Sequence, residues 1–208
     1  MRALFALSPL ALAVSLVGCS APTDATPNQM EQPQAINYPA GPYGYIEGSV
    51  VADYKFLGKV PTNGDYASLP MRDLRLDEFH NDPAVKLLLV VGSANWCYFC
   101  NQEAPTVEKL SVDHYAEGYR AVTVLGEGSV RGTPSNADDI RAWVERHSFE
   151  KTSMAIDPEA RLFQYAPASA FPLHILLDTK TMQIKWLCVG GEGACDSESA
   201  IVDALAKL

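Results

Sequence analysis

Three patterns of apolar and polar residues follow one another along this chain, and each predicts a different kind of element. Lys86-Leu87-Leu88-Leu89-Val90-Val91-Gly92 is a continuous apolar run between polar bounds, the mark of a strand covered on both faces inside a parallel sheet. Beyond it, Val107, Leu110, Ser111 and His114 recur at helical spacing and Gly118 closes the segment, which predicts a helix. Arg120–Leu125 is the next predicted strand. Ser135 and Asp138 make a capping-box-like start for a helix with a stripe of Ile140, Trp143, Val144 and His147. Met154–Ile156 predicts a short third strand and Pro158–Tyr165 a short helix. Leu173–Leu177 and Gln183–Val189 read as two strands joined by a polar turn, and Ser199–Leu208 as a closing amphipathic helix. Ahead of them, Ile46–Val51 and Tyr54–Leu57, with Gly48 and Gly58 nearby, predict a short N-terminal β extension. Alternating strands and helices followed by a hairpin and a helix make an α/β domain, a mixed central sheet with helices on both faces.

The first 43 residues follow none of these patterns. Met1-Arg2 is a small positive start, Ala3–Val17 is apolar, and Leu16-Val17-Gly18-Cys19 ends the run. At about 15 residues it is shorter than the roughly 20 that span a bilayer, so it reads as a targeting segment. The ending resembles a bacterial lipobox, which implies cleavage after Gly18, a lipid on Cys19 and anchoring by more than one acyl chain. An ordinary signal peptide would leave Cys19 as a free thiol. Residues 19–43 carry Pro22, Pro27, Pro33, Pro39 and Pro42 among Asn, Gln and Thr and few aliphatic residues, a tether expected to be disordered. As a flexible chain of about 25 residues it spans roughly 25–30 Å. The expected organisation is therefore a leader (1–18), a tether (19–43) and one domain (44–208), with no internal repeat.

Composition narrows the function. The 208 residues carry 16 Lys and Arg against 25 Asp and Glu, a net charge of −9, so no basic surface exists for a phosphate backbone and nucleic-acid binding is not expected. With Cys19 assigned to the lipid, the other four of the 5 cysteines form two pairs, Cys97 with Cys100 and Cys188 with Cys195. An exported chain meets an oxidising compartment where disulfides persist.

Cys97 and Cys100 lie where the buried strand turns into a helix. At a helix N-terminus the dipole and the unpaired amides of the first turn stabilise a thiolate on Cys97 and make it the attacking sulfur, expected to keep a face to solvent. Cys100, one turn inside, is the natural resolving partner. Half a zinc site, a purely structural disulfide and two unrelated core thiols compete with this reading. The six residues between Cys188 and Cys195 are not the usual zinc-knuckle spacing.

Trp96-Cys97-x-x-Cys100 after an apolar strand, Phe171-Pro172 before a later strand and the order of elements resemble the thioredoxin superfamily, over about Gly44–Leu208. Cys100-Asn101-Gln102-Glu103-Ala104-Pro105 resembles its TlpA/ResA-like branch of membrane-tethered extracytoplasmic thiol-disulfide oxidoreductases. The resemblance implies a thioredoxin-like fold and disulfide reduction or exchange on exported proteins, apocytochrome c among them, with electrons from an upstream membrane donor. It implies a monomer at the periplasmic or outer face of a bacterial membrane, with no cofactor and no metal. It also maps Pro172 onto the superfamily's cis-proline beside the sulfurs, leaving the Phe171 backbone for an extended client; a trans proline starting a strand is the plain alternative.

Glu103 follows Cys100 by one turn on the same helix face, where a partly buried carboxylate takes or returns a proton, although a solvated glutamate satisfies the same spacing. Pro105 inside the helix pattern is expected to kink it or loosen a turn. Thioredoxins carry an acid six positions before the first cysteine, where this chain has Val91. Tyr98-Phe99 replaces the usual small or proline pair, and with Trp96 and Phe171 it is expected to offer a hydrophobic docking lip for protein clients, two aromatics that merely cap the core being the plain alternative. The reduction potential stays open between roughly −270 and −120 mV.

Cys188 and Cys195 flank Gly190–Ala194, and a disulfide there pins the last helix to the sheet, a stabilisation of ~2–3 kcal/mol, with a regulatory redox pair as the other reading. His80, His114 and His147 read as surface or helix-face residues, and His174, two beyond Pro172, lies near the presumed site. Two other functions share the resemblance. A Sco-like copper module would use Cys97, Cys100 and His174, but Sco dithiols have three intervening residues. A peroxiredoxin-like peroxidase lacks here the Pro and Thr expected upstream of its cysteine.

Overall fold

The apolar run Leu87–Ala94 is buried at all eight positions, and the rest of the sheet is arranged around it. A computed structural model describes residues 37–61, 66–163, 170–191 and 193–207. The leader, Cys19 and the tether up to residue 36 lie outside the described residues. In chain order the elements are β1 (Lys55–Lys59), β2 (Arg72–Arg75), α1 (Leu76–Asn81), β3 (Leu87–Ala94), α2 (Tyr98–Asp113), β4 (Tyr119–Glu127), α3 (Ala137–His147), β5 (Ser153–Ile156), β6 (Leu173–Asp178), β7 (Gln183–Val189) and α4 (Ser197–Leu205).

The seven strands form one sheet in the order β2-β1-β5-β4-β3-β6-β7. β3 pairs parallel with β4 and antiparallel with β6, so it has no exposed edge, which is what an unbroken apolar strand requires. Its residues alternate between two cores. Leu87, Leu89 and Val91 face Val107 and Leu110 of α2 and Ile201 of α4. Leu88 and Val90 face Leu76 and Phe79 of α1, with Tyr38, Tyr54 and Leu162. Ile140, Trp143 and Val144 of α3 pack with Leu125, Met154 and Ile156, closing the α2 side.

Several expectations shift. Ile46–Val51 is not a strand: Ile46 is exposed and Val50 makes isolated bridges to Tyr43 and Gln183. The strand predicted at Tyr54–Leu57 is present as β1, shifted to Lys55–Lys59, and the extension is completed by β2, paired with it, and by α1. Tyr38 is buried and its hydroxyl donates to the Val51 carbonyl at 2.9 Å, so Tyr38 and the partly buried Tyr43, placed in the tether by composition, pack against the core. The N-cap of α3 is Asn136, which forms a capping box with Asp139, one residue beyond the predicted pair. The helix predicted over Pro158–Tyr165 is a single 3-10 turn, Arg161–Phe163, and residues 164 and 165 lie outside the described ones. Its start is held by buried Asp157, which accepts the Leu162 amide at 2.8 Å. Pro105 sits inside α2, which runs unbroken through it.

One packing detail reaches the site. Phe163 lies flat over Gly92 of β3 and Gly126 of β4, where a Cβ on either glycine would overlap its ring. That ring meets Phe171 at 4.9 Å between centroids, so two glycines on the central strands seat the aromatic pair beside Pro172.

Candidate active site: a dithiol at a helix N-terminus

α2 starts directly after the C-terminal end of β3, and Cys97 is its N-cap. Cys97 and Cys100 form a disulfide with Cα atoms 5.3 Å apart, and the Cys97 sulfur accepts the Cys100 amide at 3.2 Å. The same amide stays available to a Cys97 thiolate once the bond is reduced, at the positive end of the helix dipole. Phe171-Pro172 is a cis peptide bond. The sequence placed one face of Cys97 in solvent; instead Cys97 is 4% exposed. It belongs to a cluster against which Trp96, Phe171, Leu69 and Met71 pack, and the Trp96 and Phe171 rings meet edge to face at 5.9 Å.

Glu127 fixes Trp96: one carboxylate oxygen accepts the indole N–H at 2.6 Å and the Gly132 amide at 2.7 Å. Tyr98 and Phe99 are 66% and 50% exposed and form their own edge-to-face pair, an apolar lip beside the disulfide. The Gly191 backbone lies against Phe99 so closely that no side chain fits at 191. Its loop is closed by the second disulfide, Cys188–Cys195, with Cα atoms 5.9 Å apart, and the Gly190 amide donates to the Pro172 carbonyl at 2.9 Å. The predicted pairing therefore also shapes a wall beside the first cysteine pair.

Asn101, in the first turn of α2, donates its side-chain amide to the carbonyls of Cys97 at 2.7 Å and Asn95 at 3.0 Å. Its own oxygen accepts Arg146 at 2.7 Å and His147 at 3.1 Å, and the same Arg146 nitrogen reaches Asn95 at 2.9 Å. Residues near the end of α3 thus hold the two asparagines that bracket the cysteines. No sequence signal points to Asn101, Arg146, Glu127 or Gly191 in these roles, since each depends on a partner at least 5 residues away.

His147 is more than a helix-face residue. Burial, and secondarily the Arg146 charge, lower its pKa from 6.5 to about 4. The ring is neutral in the fold and donates from Nε2 to Asn101. Below about pH 6.5 the unfolded chain takes up a proton that the folded ring refuses, so stability falls as pH drops and levels off near 4. Because the ring keeps contact with solvent, the loss is on the order of 1–2 kcal/mol. Unfolding midpoints of the wild type and His147→Gln between pH 7 and 4.5 check this: the variant is expected to show the flatter dependence.

Glu103 and His174, named from the sequence, come together across two elements: His174 Nε2 lies 3.1 Å from both Glu103 oxygens. Among the described residues, no three His, Cys, Asp or Glu side chains converge on a metal position. No described helix is long and apolar enough to cross a membrane.

No protein-family model and no curated protein sequence matches the chain. Solved structures do match. A DsbE-type thiol:disulfide interchange protein of Chlorobium tepidum aligns with TM-score 0.58 at 18% identity, over 78% of this chain and 99% of its own. The exposed lipoprotein thioredoxin of Streptococcus pneumoniae aligns with TM-score 0.54 at 17% identity, over 76% and 100%. AhpC of Enterococcus faecalis aligns with TM-score 0.58 at 13% identity, over 79% and 92%. At these identities the likeness establishes the fold: a thioredoxin-like α/β fold with a mixed sheet.

Proposed function

We propose that this chain is a lipid-anchored, extracytoplasmic thiol-disulfide oxidoreductase acting on exported proteins through Cys97 and Cys100. The observation that carries the reading is the disulfide at the N-cap of α2, its outer sulfur on a helix amide, with Phe171 packed on the cluster that holds both cysteines. In the reduced enzyme the Cys97 thiolate attacks a client disulfide. A Cys97–client bond forms, and the displaced client sulfur leaves as a thiolate and takes up a proton. Cys100, deprotonated with Glu103 as acceptor, then attacks the Cys97 sulfur. The Cys97–Cys100 bond closes, the second client sulfur leaves, and two electrons have passed to the client. An upstream membrane dithiol resets the enzyme; run in reverse, the same steps oxidise a client dithiol.

Trp96, Phe171, Tyr98 and Phe99 form the docking lip for an extended client beside Phe171-Pro172, and the client parts the Trp96–Phe171 edge to reach the buried sulfur. The lipobox-like ending at Cys19 and the Pro-rich tether support anchoring outside the cytoplasm. The copper reading draws little support, since the proposed ligand His174 is directed at Glu103. Trapping tests the function: Cys100→Ser is expected to accumulate a mixed disulfide on Cys97 with reducible clients, and no adduct under conditions where clients are reduced by the wild type would reject it.

A further inference from the structure

His174 sits on β6 in a row with Val91 on β3 and Cys188 on β7, on the sheet face under α2. The residue is 1% exposed. Nε2 faces both Glu103 oxygens, while Nδ1 is buried with no hydrogen-bond partner. The Glu103 side chain keeps 15% exposure, so the pair joins a sealed ring to a carboxylate that still reaches the mouth of the helix. An imidazole in a sheet interior with one nitrogen unmatched is destabilising by itself. An apolar side chain would fill the position without that cost, so the ring calls for a role beyond packing.

The partners define what the ring can do. The other groups facing it are Val91, which does not titrate, the Trp186 ring at 5.7 Å between centroids, and Cys188, held in its disulfide. The start of α4 contributes Asp196, occupied in capping Ser199, and Glu198, exposed. On β7, Lys185 is turned to Asp178. Glu103 is thus the polar partner of the ring. Nε2, the nitrogen that faces the carboxylate oxygens, donates to Glu103.

We propose that His174 is a positioning residue for the resolving step: by donating from Nε2 to Glu103 it holds that carboxylate, one turn after Cys100, as the acceptor of the Cys100 proton. The proton moves from the Cys100 thiol to Glu103. The resulting thiolate attacks the Cys97 sulfur, the new S–S bond closes, and the Cys97–client bond breaks to release the client thiolate. His174 touches neither sulfur nor client in this sequence and loses no proton. The inference rests on the exchange function proposed above and specifies which side chain supports one of its steps.

The test separates the two chemical steps by rapid mixing of reduced enzyme with a disulfide client over pH 5.5–8.5, following mixed-disulfide formation and client release. His174→Asn, too short to reach the carboxylate, is expected to slow release about tenfold, the order of effect of removing the partner of a functional side chain. It is also expected to displace the pH profile of release while leaving mixed-disulfide formation within about twofold, as for a residue acting through another. His174→Gln, whose amide N–H can donate to Glu103, should recover most of the rate. In a Glu103→Gln background, His174→Asn should change nothing further. An equal loss of release with and without Glu103, or a wild-type release profile in His174→Asn, overturns the proposal. Should His174→Asn not fold, by circular dichroism, His174→Leu takes its place with the same expectations. A wild type that forms no mixed disulfide would reject the exchange function itself, a result distinct from normal formation with unaffected release.

Discussion

Cys97→Ser is expected to reduce insulin-disulfide reduction to the uncatalysed background, a loss of at least about a thousandfold, because a serine hydroxyl is a far weaker nucleophile than a thiolate near neutral pH. The position is specific. Both sulfurs are buried, but Cys97 is the N-cap, accepts the Cys100 amide and lies under the Trp96–Phe171 edge that a client can part, whereas Cys100 is one turn inside. Removing Cys100 therefore leaves a sulfur that can attack once, while removing Cys97 leaves one without access. The expected order is wild type, then Cys100→Ser with a single stoichiometric burst, then Cys97→Ser with none, measured as client thiols released per enzyme. Equal bursts from the two variants would contradict the assignment of roles.

The second large effect concerns the helix that carries the cysteines. Glu108, buried in the middle of α2, accepts three successive backbone amides: Glu150 at 2.9 Å, Lys151 at 2.7 Å and Thr152 at 3.0 Å. These amides lead into β5, so one carboxylate ties the dithiol helix to the sheet. Glu108→Ala removes three charge-assisted bonds and leaves partly buried N–H groups unmatched, an expected loss of about 3–5 kcal/mol. For a domain of this size that lowers the thermal midpoint by roughly 10 °C. Glu108→Gln keeps one acceptor oxygen and should fall between. Calorimetry or urea unfolding of the oxidised proteins checks the ranking, and a loss under about 1 kcal/mol for Glu108→Ala would show that water replaces the carboxylate.

What could be read from the sequence follows from how local each cause is. β3, β7 and α2 were legible because the apolar run Leu87–Val91, the β-prone stretch Ile184–Val189 and an i, i+3, i+4 stripe are written into nearby residues. β2 was not, since Arg72-Asp73-Leu74-Arg75 has one apolar residue and takes its strand conformation from pairing with β1 at the sheet edge. The reverse holds for Ile46–Val51, where apolar residues suggested a strand but the chain makes only a few backbone bonds to Met182 and Ile184 and leaves Ile46 in solvent.

The site divides in the same way. The cysteine pair, Glu103, Pro172 and the aromatic lip lie in two short segments, and the sequence placed them together. The burial of Cys97 was not legible because it depends on Phe171, which arrives from a segment 74 residues later and is seated through Phe163 on Gly92 and Gly126. The grip of Arg146 and His147 on Asn101 likewise spans 45 and 46 residues. Charged and amide side chains of this kind are ordinary surface residues until the fold supplies their partners.

The most direct measurement is an equilibrium redox titration of the folded protein in thiol/disulfide buffers, with Cys97–Cys100 assigned by alkylation and mass spectrometry. A reversible two-electron couple between roughly −270 and −120 mV at that pair is the expected result. A pair that resists reduction until the protein unfolds, or titrates below about −300 mV as structural disulfides do, would contradict it.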